Sequence, residues 1–240
     1  MKYSNKISFL LIAIWLLSSA CSEEWLEPEP LSFYAPENVF VDESGLESLL
    51  ITMRKDLRWE YDGPNGGLVS ELVTTDIAIA SPRNNRSPRE LDVQLTPATD
   101  GNYRMLDYFI NAYEYIRNAN VLIARIDAPD WSSEDKRNEV LAEALFHRSY
   151  WYYRLVHQYG DVPFIGNEIQ EAKVDFFSHS RKTILAKLIE DMQFAVQHLP
   201  EAAVPGAITV YAGHYLLAKI YLADSQFAAA VQSATEVING

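Results

Sequence analysis

Apolar residues recur at helical spacing through most of this chain, most densely in residues 141–164, LAEALFHRSYWYYRLVHQYGDVPF. Leu141, Ala144, Leu145, Tyr152, Leu155, Val156 and Tyr159 fall three, four or seven apart, with polar Glu143, His147, Arg148 and Arg154 between them. That rhythm predicts a helix with a wide apolar face, capped at its start by Ser132 or Ser133. Gly160 predicts its end, since glycine takes a left-handed backbone without a side-chain clash, and Pro163 stands just beyond. Aromatics at helical spacing are mostly core, so the Trp151 run reads as packing.

The other stretches divide by the same test. Residues 42–61 carry Leu46, Leu49, Leu50, Met53 and Leu57 on one stripe, with Asp42 or Ser44 to cap and Gly63-Pro64 to stop. Residues 69–80 fit a short helix or a strand, the helix being preferred. Residues 81–101, SPRNNRSPRELDVQLTPATDG, contain three prolines and little helical period. A loop of that length is usually functional or mobile. Residues 103–127 resume a helix, with Leu106, Phe109, Ile110, Tyr113, Ile116, Val121, Leu122 and Ile126 as its expected buried side. Asn120 on that face needs partners for its amide and is expected to tie helices together. Residues 161–178 cross over without a clear period. Residues 181–199 are amphipathic through Ile184, Leu185, Leu188, Ile189, Met192 and Val196, and Pro200 ends them. Residues 209–240 form a helix pair, Leu217, Ala218 and Tyr221 in one helix and Phe227, Ala230 and Ala234 in the next. That spacing matches the tetratricopeptide pattern, in which small residues sit where helices touch and aromatics fill the gaps.

The stretch 142–164 resembles the helix that marks the SusD/RagB family, an AEA-x-F-x-R-(A/S)-aromatic run ending in GDVP. Ala142, Glu143, Ala144, Phe146, Arg148, Ser149, the aromatics at 150–153, and Gly160, Asp161, Val162 and Pro163 carry the likeness. YFINAYEYIRNANVLIARI is similar to the family's aromatic-Tyr-Ile-Asn series, with Phe109, Tyr113, Ile116 and Asn120 in those places. The usual tryptophan is Phe109 here. SRKT at 180–183 and the Leu199-Pro200 ending also fit. The expected fold is therefore all-α, a tetratricopeptide-like helical-repeat domain with irregular loop insertions (SusD-like). Family members are considerably longer, and this chain stops directly after an apolar helix without a polar cap. It is read as an N-terminal portion or a truncated gene product.

The chain's 240 residues suffice for one large domain or two small ones, and its formal charge is −13. Residues 1–20 carry only Lys2 and Lys6, so their removal makes the remainder more acidic still. Such a surface repels phosphate backbones, and no nucleic-acid partner is expected. Cys21 is the single cysteine, which excludes an intrachain disulfide. It follows a basic start, an apolar run at 7–17 and the small residues Ser18, Ser19 and Ala20. The order resembles a bacterial lipoprotein signal in which Cys21 is lipidated, apart from Ser18 where Leu or Val is usual. The alternative is an ordinary secretory signal with an incidental cysteine. Residues 21–36, rich in Pro and Glu, read as a tether, leaving 37–240 as the helical domain. Glu23 and Glu24 resemble an acidic surface-export signal; a solvated linker is the alternative.

Catalytic motifs are missing from the sequence: it has no Gly-rich phosphate loop, no GxSxG and no HExxH. Glu143 and His147 stand one turn apart, but two ligands do not make a metal site, and neither metal nor cofactor is expected. Asp161 in the GDVP turn is expected to bond backbone amides. Sugar recognition needs aromatic faces and planar polar side chains. Aromatics outside the core and the long loop supply the candidates: Trp59, Tyr61, Arg83, Asn84, Asn85, Arg86 and Tyr103. Partial burial or plain solvation is the competing reading of each. The resemblance implies a non-catalytic outer-membrane lipoprotein, lipid-anchored and surface-exposed. Its implied partners are an oligosaccharide or similar nutrient and a SusC-like TonB-dependent transporter. The alternatives are a helical-repeat scaffold that binds protein alone and, more distantly, a secreted hydrolase.

Overall fold

The computed structural model describes residues 39–61, 72, 75–77, 101–202 and 204–240, with the backbone alone for residues 101–105. One unit, Phe40–Gly240, holds the helices. They are α1 (Glu43–Tyr61), α2 (Gly101–Ala124), α3 (Glu134–Gln158), α4 (Arg181–His198), α5 (Val210–Ala223) and α6 (Phe227–Asn239). Two short strands, β1 (Val162–Pro163) and β2 (Ser178–His179), pair antiparallel and close the crossing between α3 and α4.

Local chemistry sets the ends. Asp42 accepts the Gly45 N–H at 2.7 Å, and Ser133, Ser180 and Thr209 cap α3, α4 and α5 in the same way. Gly160 stops α3 with a φ of +73°. Asp161 then accepts the Arg181 N–H at 2.8 Å, which ties the turn after α3 to the start of α4. The non-helical preference of residues 161–178 is thus confirmed, with one addition, the two-residue ladder. Of residues 69–80, only Leu72 and residues 75–77 are described, where the Thr75 N–H and hydroxyl both bond the Leu72 carbonyl.

Successive helices run antiparallel. Ser132 with Glu43, Arg54 with Glu143, and Tyr61 with Tyr150 are each 89 residues apart. This constant offset shows α1 and α3 parallel and in step, with α2 antiparallel to both. Arg148 of α3 meets Asp191 of α4 at 2.6 Å, as an antiparallel hairpin requires. α5 and α6 pack as a second hairpin, joined through Ser225 at a φ of 63°. The result is the expected all-α, helical-repeat architecture.

The apolar core has two parts. One joins α3 to α4, α5 and part of α2 around Trp151, Tyr152, Leu155, Leu188 and Ile220. The other holds α1 against the end of α2 and the start of α3 through Leu46, Leu50, Met53, Leu122 and Val140. Three expectations need correction. α3 is buried on nearly all sides between 142 and 149, so Glu143, His147 and Arg148 face inward among neighbouring helices. On α2 Ile116 and Leu122, with Ile126 just beyond, are buried as expected, but the start of the stripe is rotated: Tyr108 and Ala112 are buried while Leu106 and Ile110 are more than half exposed. Phe227 fills no gap and is 62% exposed on the outer side of α6. Among the described residues, no helix is long and apolar enough to cross a membrane.

Candidate functional site

The end of α1 carries an aromatic platform. Trp59 is half-buried, with its ring 5.4 Å from Tyr108, 6.1 Å from Tyr115 and 6.4 Å from Trp151. Tyr61 is 66% exposed, and its hydroxyl lies 3.4 Å from that of Tyr150. Between them Glu60 is buried, paired with Arg154 at 2.5 Å and accepting the Tyr108 hydroxyl at 2.9 Å. Arg154 Nε in turn donates to the Tyr108 oxygen at 3.0 Å. Burial, with the Glu60 carboxylate second, pushes the Tyr108 hydroxyl far above its ordinary pKa of 10.0, so it remains a donor. Tyr150 is pushed up for the same two reasons. Helical pitch then carries one chain position to the surface: Glu60 anchors inward while Tyr61 points out.

Because α1 and α2 are antiparallel, the last turn of α1 and the first turn of α2 lie at the same end of the pair. Tyr103 lies in the first turn of α2, about 7.5 Å along the axis beyond Tyr108. Trp59 and Tyr61 close α1 at the end of the pair where α2, and with it Tyr103, begins. Arg83, Asn84, Asn85 and Arg86 lie outside the described residues, as does Cys21. Tyr108, Tyr150 and Arg154, which complete the platform, carry no sequence signal for such a role. The pattern reads Tyr150 as part of the packed aromatic run, Arg154 as a polar break and Tyr108 as off the buried side, and only their pairing with α1 reveals this use.

On the other side of α3 the chain is held as firmly. Residues 163–166 are pinned by side chains from two helices. Tyr113 donates to the Pro163 carbonyl at 2.6 Å, and Asn120 donates to the Ile165 carbonyl at 2.8 Å. The Tyr152 hydroxyl accepts the Ile165 N–H at 2.6 Å, and Arg148 donates to the Gly166 carbonyl at 3.0 Å. Arg148 also donates to Asp191 and, at 3.3 Å, to the Asn120 side-chain oxygen. Asn120 is therefore the helix-tying residue its position suggested. Arg125 pairs with Glu168 at 2.9 Å and extends the clamp.

Glu143, one member of the Glu-His pair on α3, accepts from Arg54 through both oxygens, at 2.6 and 2.7 Å. His147 Nε2 lies 3.7 Å from one of them. Burial alone raises the Glu143 pKa, but the paired hydrogen bonds from Arg54, helped by the nearby His147 ring, outweigh it and hold the carboxyl below its ordinary 4.5. A folded-state pKa below the unfolded one gives stability that is full above about 4.5 and lost as pH falls through the folded value. Arg54→Met is expected to lower neutral-pH stability by about 3 kcal/mol and to flatten this acid dependence. Urea unfolding at a series of pH values checks it; an acid dependence unchanged in the variant refutes the linkage.

A family model, SusD-like, described as starch-binding and associating with the outer membrane, matches residues 24–222. SusD-like protein P2 of Formosa agariphila is 28% identical over 98% of this chain and 46% of its own length. SusD-like protein P25 of the same organism is 26% identical over 98% of this chain and again 46% of its own. The chain thus spans about half the length of these relatives. Among solved structures, a SusD-like protein from Bacteroides fragilis superposes with a TM-score of 0.71 at 19% identity, over 88% of this chain and 40% of that one. A laminarin-binding SusD-like protein gives a TM-score of 0.71 at 18% identity, over 82% of this chain and 43% of that one. These structures share the fold.

Proposed function

Because this chain belongs to the SusD-like family, we propose that it binds oligosaccharides or related nutrients without cleaving them. In this reading residues 1–20 are a signal peptide and Cys21 carries the lipid. Residues 21–36 are a tether that suspends the helical body, 37–240, outside the outer membrane. A SusC-like TonB-dependent transporter takes the captured nutrient. The observation that carries the reading is the family match across nearly all of the helical body. The geometry supports it. Buried Glu60, Glu143 and Asp191 are each joined to an arginine, which favours a structural use over acid–base chemistry. The exposed Tyr61, its hydroxyl 3.4 Å from that of Tyr150, offers a sugar an aromatic face on a rigid base. Arg83, Asn84, Asn85, Arg86 and Tyr103 are proposed to add hydrogen bonds around it.

A second reading, a helical-repeat scaffold for protein partners, draws on the outer face of α5 and α6. There Tyr215, Leu222, Phe227 and Val231 line an apolar groove of about 500 Å³. Isothermal titration of the purified full chain with maltoheptaose, laminarihexaose, xylohexaose and mannohexaose separates the two. Binding of at least one without turnover is expected, and Tyr61→Ala should weaken it about tenfold. Cleavage of a glycan, or no binding to any, overturns the proposal. In the native host, labelled palmitate should enter the chain and be lost in Cys21→Ala; equal labelling of both overturns the anchor.

A further inference from the structure

The crossing segment between α3 and α4 forms a cleft of about 370 Å³, within the range of small-ligand pockets. Phe164, Asn167, Lys173, Asp175, Phe177 and His179 line it. It is separate from the platform at the end of α1. Tyr150 and Tyr152, two positions apart on α3, point about 200° apart around the helix. Tyr150 reaches Tyr61, whereas Tyr152 holds Ile165 at the back of the cleft.

Three features suit this cleft to a ligand. Its inner wall is fixed, because Tyr113, Tyr152, Asn120 and Arg148 pin residues 163–166. Its outer rim is aromatic and open: Phe177 is 72% and Phe176 44% exposed, and the Phe177 ring stands 4.9 Å from that of His179. Its polar groups are oriented. The Phe164 N–H donates to His179 Nδ1 at 3.2 Å, so the neutral ring carries its proton on Nε2 as a free-standing donor. Lys173 and Asp175 pair at 2.8 Å, which leaves the cleft without a strong net charge of either sign. Aromatic faces, a directed donor, an amide and a mutually neutralised ion pair suit a neutral, polyhydroxylated ring better than an anion or a lipid.

We propose that this cleft is a glycan-binding site of its own, with Phe177 stacking on a pyranose face and His179 and Asn167 bonding its hydroxyls. The proposal rests on the carbohydrate-binding reading above and adds a location that reading does not require. The test uses the full chain, purified in a detergent that carries no sugar and labelled with ¹⁵N in histidine and tryptophan. Signals of His179, assigned with His179→Gln, report the cleft; the Trp59 indole reports the platform. Maltoheptaose or laminarihexaose should shift the His179 signals, and Phe177→Ala should weaken that response about tenfold while sparing any response at Trp59. Phe177 is exposed enough that its removal leaves the core intact. If Trp59 responds and His179 does not, this proposal falls and the general reading stands. If neither responds to either sugar, the proposal falls, and the reading it rests on falls with it only if xylohexaose and mannohexaose also fail to bind. A His179 shift produced by raising protein concentration without glycan makes the rim a self-association surface and also overturns it.

Discussion

Arg148→Met is expected to destabilise the chain by about 3–5 kcal/mol, the cost of leaving a buried charge without its partner. Arg148 and Asp191 side chains are each only 5% exposed and meet at 2.6 Å. Methionine fills comparable space but satisfies neither the carboxylate nor the carbonyl of Gly166, which Arg148 bonds at 3.0 Å. Lys187, 3.1 Å from the other Asp191 oxygen, is half-exposed and recovers only part of the loss. Urea unfolding of wild type, Arg148→Met and the double variant Arg148→Met/Asp191→Leu gives the measurement. The double variant should regain much of the loss, since an apolar pair can replace a buried ionic one at little cost. Hydrogen exchange should also quicken at residues 163–166 in the single variant. A single-variant cost below about 1 kcal/mol would mean that the network does not hold the crossing segment.

Trp151→Ala is expected to cost about as much, roughly 3–5 kcal/mol, by opening a cavity in the core. Trp151 is 1% exposed, and its ring lies 4.6 Å from Tyr115 and 5.2 Å from Tyr150. It also supports Trp59, so the loss should reach the platform and weaken any ligand held by Tyr61. Trp151→Phe, which keeps a ring in the space, should fall between the two. Thermal unfolding gives the stability, and titration with the bound oligosaccharide gives the effect on the platform. Unchanged binding in a folded Trp151→Ala chain would separate the platform from the core beneath it.

Both predictions concern residues whose roles are only half legible in the chain. Trp151 stands in an aromatic run at helical spacing, and its burial follows from that pattern. Arg148 stands in the same run as one of the polar breaks and reads as part of a solvated edge. A hydropathy pattern cannot distinguish a charge that faces water from one that faces a partner brought in from 43 residues away. The rotation of the stripe at the start of α2 has the same cause. Leu106 and Ile110 fit the helical period as well as Tyr108 and Ala112 do, and the placement of α1 and α3 decided which set was covered. The end of α1 shows the limit most clearly: Trp59 and Tyr61 stand out in the sequence, but Tyr108, Tyr150 and Arg154 enter only through contacts 46 to 89 residues apart.

Local rules, which act within a few residues, were enough to place the helices, the caps at Asp42 and Ser133, the stop at Gly160 and the repeat-like pair at the end. Each depends on backbone sterics, hydrogen bonds to neighbouring amides or the 3.6-residue period, all properties of adjacent positions. The register of α1 against α3, the inward turn of Glu143 and Arg148, and the cleft beside His179 had no such local signal. They exist because packing brings distant polar groups together where water is excluded, and there each buried charge must find its partner across the fold.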